Sequence, residues 1–356
     1  MTALRSTSSI TSSLYLAWRR ATPFWLGAVA VLIAPSPSWA EPSWNTMPFT
    51  LFREMQAVTA AGSAAWTIPT YGPGEEQGYK LRGVVLNNPV DLLDSTPNYI
   101  PCAPGTQWQL GGQWQIFVQA VDGSDFGGAA LWMGQNYGNH IWHWPDSSYS
   151  YTNAEWQAEL ARLTTNNTLK VGDLVEVHAR GGLFYQGKFN VNEQHEKDPS
   201  FDFDIEILQA GQMSPPSLIS LLDVKNLDDS FKFVQDRQSG AEHYQSTLVK
   251  LKNVSLVSSA GWGPDATLTI TDGAVHLPMK LGRVGFNSLP PPSGPFDVVG
   301  IFDQESPDYR GGYRLWVVDA SQFAVPEPSS IVLIVAGVLS LLMLATRRRR
   351  LAKKEH

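Results

Sequence analysis

The residues best suited to chemistry in this chain are carboxylates, and they crowd into one short stretch. Asp202, Asp204 and Glu206 stand two apart, with Asp198 just upstream and Glu193 nearby. Side chains two apart share one face of a strand, so the three acids line one side and Phe201, Phe203, Ile205 and Ile207 the other. Asp198, Asp202, Asp204 and Glu206 could therefore hold Ca²⁺ through hard oxygen ligands. The same row also describes the solvated face of a half-buried strand, which needs no ion. Two metal motifs fail outright. His195-Glu196 would begin a zinc-protease helix, but Pro199 stands where the second histidine belongs. An EF-hand loop needs glycine at its sixth position, and Ile207 stands there.

Aromatic residues form the second candidate. Six of the 13 tryptophans fall between 108 and 156. Trp114, Trp132 and Trp156 sit on strand or helix patterns and are expected in the core. Trp142 and Trp144 flank His143 in a loop that continues to Tyr149 and Tyr151. Loop aromatics can stack on sugar rings or bases, or the same loop can pack over the sheet. Enzyme constellations are missing at this level: no Gly-x-Ser-x-Gly elbow, no phosphate-binding glycine loop, no histidine pair at ligand spacing on a helix. His178, His195, His243 and His276 each stand alone in their segments. No catalysis is expected, and no cofactor beyond that Ca²⁺.

The elements that must position these residues are mostly strands. Residues 79–86, 114–120 and 128–133 alternate or run apolar, with Asp122-Gly123 as a turn. One helix follows: Thr152-Asn153-Ala154-Glu155 is a capping box, and Trp156, Leu160 and Leu163 make its apolar stripe. Strands at 174–179, 184–191 and 202–208 complete the set. Three strands, a helix and two or more strands resemble an OB-type barrel, and Gly172-Asp173-Leu174-Val175-Glu176-Val177 is similar to the strand that follows the OB-fold helix. That resemblance implies a fold used for oligonucleotides, oligosaccharides or proteins. Gly211-Gln212-Met213-Ser214-Pro215-Pro216-Ser217 reads as a linker. Beyond it lie a short helix at 218–224 and strands at 248–256, 266–271, 275–281, 296–302 and 313–318, in similar order. The expectation is an all-β protein of two tandem OB-like units with one short helix each; a single large β-sandwich is the alternative.

Both ends of the chain carry addresses. Arg5, Arg19 and Arg20 precede an apolar segment at 24–34, and Ser38-Trp39-Ala40 supplies the small residues for cleavage between Ala40 and Glu41. A twin-arginine signal and an uncleaved anchor are the alternatives; Pro35 and Pro37 break the helix that an anchor needs. At the other end, Pro326-Glu327-Pro328 precedes an apolar run at 331–345, then Arg347, Arg348, Arg349 and Arg350. Fifteen residues at about 1.5 Å each give roughly 22 Å of helix, short of the ~30 Å hydrocarbon core unless the basic flank snorkels. The arginines hold that end in the cytoplasm. This tripartite tail resembles the PEP-CTERM sorting signal of Gram-negative exopolysaccharide producers. The resemblance implies an exosortase-type membrane peptidase as a partner, and a plain membrane anchor is the alternative.

Between the ends, residues 41–324 hold 17 of the 26 basic and 31 of the 33 acidic residues, a net charge of −14 against −7 for the whole chain. So acidic a surface repels phosphate backbones and argues against nucleic acid, unless Lys80, Arg82, Lys188 and Lys197 gather on one face. Cys102 is the only cysteine, which excludes an intrachain disulfide and a cysteine metal cluster. Thirty glycines and 24 prolines fit a turn-rich β protein. The expected division is a leader at 1–40, an irregular segment at 41–77, a first OB-like domain at 78–210, a linker at 211–217, a second OB-like domain at 218–322, and a tail at 323–356 with a transmembrane helix at 331–346. The expected role is non-catalytic binding or structure at the cell envelope, in association with exopolysaccharide or the surface layer. An envelope hydrolase such as a metal-dependent nuclease is one alternative, and an oligonucleotide-binding module the other.

Overall fold

Alternation of apolar and polar residues sets the strand faces. In Leu174–Ala179, Val175, Val177 and Ala179 are buried, while Leu174, Glu176 and His178 are half-exposed. The computed structural model describes residues 44–71, 76–93, 112–121, 123–135, 147–193, 197–213 and 215–324. The Ala40–Glu41 cleavage site, Trp142, His143, Trp144, and the tail with Pro326, Glu327, Pro328 and Arg347 to Arg350 lie outside the described residues.

A short helix, α1 (Phe52–Met55), precedes the sheets and sends Phe52 and Met55 into the first core. Strands β1 (Thr70–Tyr71) and β2 (Glu76–Gln77) form a small ribbon. The first large sheet comprises β3 (Tyr79–Val85), β4 (Gln113–Ala120), β5 (Gly128–Gly134), β6 (Leu174–Ala179), β7 (Leu183–Tyr185), β8 (Lys188–Asn192) and β9 (Phe203–Gln209). Its order is β7-β8-β5-β4-β3-β6-β9, with β5 and β8 parallel. Because β6 leads into β7 within three residues although the two lie far apart in the strand order, the sheet curls back on itself in a barrel-like way. Between β5 and β6 lies α2 (Asn153–Leu163), with Thr152 and Glu155 forming the expected capping box and Trp156, Leu160 and Leu163 buried. Trp114 is buried as expected and Trp132 packs against the same core.

One reading changes here. The sequence reads 184–191 as a single strand, but the chain turns at Gln186 and Gly187, whose φ values of 47° and 98° are those of a two-residue hairpin turn. Tyr185 then pairs with Lys188.

The second large sheet contains β10 (Ser217–Ile219), β11 (Thr247–Leu256), β12 (Thr267–Thr271), β13 (His276–Val284), β14 (Phe296–Gln304), β15 (Tyr313–Asp319) and β16 (Phe323–Ala324). Five of these close into a ring. β11 is antiparallel to β12 and β14, β12 to β13, β14 to β15, and β13 runs parallel to β15. The helix expected at 218–224 shortens to α3 (Leu221–Val224), because Ser217 to Ile219 pair parallel with β11 instead. A further turn of helix, α4 (Gly240–His243), precedes β11.

The two sheets meet across a shared apolar cluster: Leu86, Leu92, Phe117 and Ala130 from one side, Leu248, Ile301, Trp316 and Val318 from the other. Glycine permits the closest approach, since a Cβ on Gly128 would collide with the carbonyl oxygens of Ser246 and Val118. Backbone bonds cross there as well, from Gly128 N to Gln245 O at 3.1 Å and from Ser306 N to Gln186 O at 2.9 Å. Buried charge crosses too: Lys188 of β8 pairs with Asp303 of β14, which also accepts from Arg314 at 2.9 Å. The protein is mostly β, built from barrel-like sheets. Among the described residues, no helix is long and apolar enough to cross a membrane.

Candidate functional site

The row of acids does not form one ligand set. Asp198 caps the turn at 199–201 by accepting from Ser200 N at 2.9 Å. Asp204 is drawn to Arg162 of α2 and to Arg180, the latter at 3.4 Å. Glu206 is exposed, opposite Glu176 in register. Only Asp202 turns inward. There it meets Glu159 of α2 and Glu193 after β8, with one oxygen of each carboxylate within 4.8 Å of the others. The row splits because two arginines from neighbouring elements stand beside its middle member.

That convergence carries its own cation. Arg162 Nε donates to Glu159 at 3.0 Å, and its guanidinium lies 3.9 Å from Asp202. Tyr151 donates its hydroxyl to Glu193 at 3.0 Å. Burial pushes the Asp202 carboxyl up, and the Glu159 charge adds to it against the pull of Arg162, leaving it at about 6. A calcium ion takes about six to eight oxygen ligands. Here three carboxylates converge beside a guanidinium that already supplies positive charge, and of the four acids named from the sequence only Asp202 belongs to the set.

The aromatic expectations divide similarly. Tyr151 is 6% exposed and belongs to the first core, so it offers no free face for stacking. Tyr149 is half-buried and packs against that core. Stacking occurs elsewhere, on the outer face of β3 and β6. Trp44 lies flat on His178, centroids 4.8 Å apart and planes 4° off parallel, with Arg180 5.3 Å from its ring. Phe49 sits between Lys80 Nζ at 4.5 Å and the Arg82 guanidinium at 4.3 Å. Glu176 ties this face together, pairing with Lys80 and Arg82 at 3.2 Å each and with His178 at 2.9 Å. Burial alone would raise its carboxyl pKa, but those three partners outweigh it and hold it below the ordinary value.

The basic residues named from the sequence do not gather. Lys80 and Arg82 are engaged by Glu176, Lys188 is buried against Asp303, and Lys197 pairs with Glu155 at 2.7 Å. Two histidines do meet carboxylates: His178 as above, and the exposed His276 at the start of β13 with Asp229 at 3.3 Å. The first lies under Trp44.

An open cleft of about 1010 Å³ lies on the second sheet, between the segment after α3 and the loop joining β14 to β15. Phe231 and Phe233 give it half-buried apolar surface, while Asp223, Lys232, Asp308 and Arg310 give it polar groups. Gln304 anchors that loop from beneath, donating to Tyr309 O at 3.0 Å and Gly311 O at 3.1 Å. The Arg310 guanidinium lies 5.0 Å from the Phe233 ring centre. Sequence reading passed over this site. The alternation Phe231-Lys232-Phe233 was the available signal, but Arg310 is nearly 80 residues away and only the fold joins them. Glu159 was missed similarly, as a polar position on a helix chosen for its apolar stripe.

No protein-family model and no curated protein matches the chain. Among solved structures, it is similar to a replication protein A heterotrimer bound to single-stranded DNA, at 11% identity and a TM-score of 0.26, covering 74% of this chain and 52% of that one. It is also similar to a deletion mutant of the single-stranded DNA binding protein from Thermus aquaticus, at 11% identity and a TM-score of 0.17, covering 70% of this chain and 93% of that one. The chain thus spans about half the length of the first of these, and overlaps this loose carry no argument about function.

Proposed function

We propose that this is an exported, non-catalytic binding protein of the cell envelope whose ligand is a polysaccharide. The 1–40 leader directs export with cleavage between Ala40 and Glu41, and the 323–356 tail sorts and holds the protein, with an exosortase-type peptidase as its processing partner. The outer part is a pair of OB-type barrels. Support for that type is connectivity: β3 pairs with β4 and β6 while β5 runs parallel to β8, and β11 pairs with β12 and β14 while β13 runs parallel to β15.

The observation that carries the ligand reading is the cleft beside the loop joining β14 to β15. Sugar rings offer apolar faces and a rim of hydroxyls, and half-buried Phe231 and Phe233 beside Asp223, Asp308 and Arg310 match both. Reading the protein as a binder without chemistry is supported by the engagement of the acidic cluster with Arg162 and by the cover of Trp44 over His178. The test is co-sedimentation of the detergent-purified full chain with insoluble bacterial polysaccharides. Wild-type protein is expected in the pellet, and Phe233→Ala should move most of it to the supernatant at unchanged melting temperature. Failure of the wild type to sediment with any polysaccharide would refute the reading.

A further inference from the structure

Of the four charged side chains in that cleft, three are engaged by the protein itself. Asp223 accepts from Ser220 N at 2.7 Å. Asp308 accepts from Arg310 N at 2.9 Å and Gly311 N at 2.7 Å, which outweigh its burial and keep its carboxyl below the usual range. The Lys232 ammonium donates to the Leu222 carbonyl. Arg310 differs. Its guanidinium has no ion pair among the described residues and is held over Phe233 on a loop that Gln304 anchors. A guanidinium presents its donors in a flat fork that matches a carboxylate edge to edge. Holding it against an aromatic face reduces the side-chain entropy lost on binding.

We infer that the cleft selects a carboxylate-bearing sugar, a uronic acid unit of an acidic polysaccharide, with Arg310 on the carboxylate and Phe233 beside the ring. This rests on the polysaccharide reading above and adds the ligand's charge to it. A carboxylate fits better than a phosphate or sulfate ester. The site's one cation outside an ion pair, among the described residues, is Arg310, and the Asp308 charge close by would penalise a dianion more than a monoanion. The net charge of −14 on residues 41–324 works against any anion, so recognition must come from this one local contact.

The test is calorimetric titration of the detergent-purified full chain with trisaccharides of galacturonate, mannuronate and guluronate, each beside its uncharged methyl ester. At least one acid should bind about tenfold or more tightly than its ester. Arg310→Gln should erase that difference at unchanged melting temperature; Arg310→Lys should restore only part of it. Equal affinity of acid and ester, or a preference that survives Arg310→Gln, overturns the carboxylate assignment while the polysaccharide reading stands. No binding of either form, together with failure to sediment with polysaccharide, overturns both.

Discussion

Replacing Asp303 with alanine is expected to destabilise the folded chain by about 3–5 kcal/mol, because it leaves buried positive charge without its partner. Asp303 is fully buried between the two sheets, and Lys188 opposite is nearly so. Burial works to raise the Asp303 carboxyl pKa, but the Lys188 and Arg314 charges outweigh it and hold the group ionised, below its ordinary value. Arg314 keeps Glu305 when Asp303 is lost, whereas Lys188 has no other ion pair among the described residues. The double variant Lys188→Met/Asp303→Leu should therefore be markedly more stable than Asp303→Ala, since it removes both charges together. Denaturant unfolding of the three proteins checks this. A loss under about 1 kcal/mol for the single variant would mean that water reaches the pair and that the sheets part more readily than their packing implies.

The second large effect concerns Asp202 and has the opposite sign. Its folded pKa of about 6 lies above the unfolded value of 3.8. The folded protein therefore binds this proton more tightly, and stability from this group is gained as pH falls from about 6 towards 4 and lost as pH rises through 6. At pH 7.5 the ionised carboxylate costs about 2–3 kcal/mol relative to the unfolded chain. Asp202→Asn keeps the shape and removes the charge beside Glu159 and Glu193, so it should raise stability at pH 7.5 by up to that amount. It should also flatten the pH dependence between 4 and 6. Melting curves across that range measure both. A less stable variant at pH 7.5, or one retaining the wild-type slope, would show that Arg162 already neutralises the site. A melting temperature raised by millimolar Ca²⁺ in the wild type and lost in Asp202→Asn would favour the calcium set instead.

How much of this was legible beforehand follows from which interactions are local. The capping box at Thr152–Glu155 and the stripe of Trp156, Leu160 and Leu163 are set within a single cap and helix, and they appear as read. Strands such as Leu174–Ala179 declare themselves through alternation. The hairpin at Gln186-Gly187 was hidden by continuous strand-forming residues on both sides, although glycine after a polar residue was the cue for its turn. Residues 41–77 read as irregular because their apolar positions lack a period, yet Phe52 and Met55 fill the first core. The Asp202 row was half-legible: period two places the acids on one face, but which of them faces an arginine depends on α2, nearly 40 residues away. Likewise, Trp44 meets His178, and Phe49 meets Lys80 and Arg82, only through folding. Sites assembled from distant segments leave no spacing to read.

The most direct test of the account is size-exclusion chromatography with light scattering on an acidic polysaccharide incubated overnight with the full-length protein. The account predicts that protein elutes with the polymer and that the polymer keeps its mass, as a binder without chemistry requires. Polymer that shortens would make this an envelope hydrolase, and protein that elutes alone would contradict polysaccharide binding altogether.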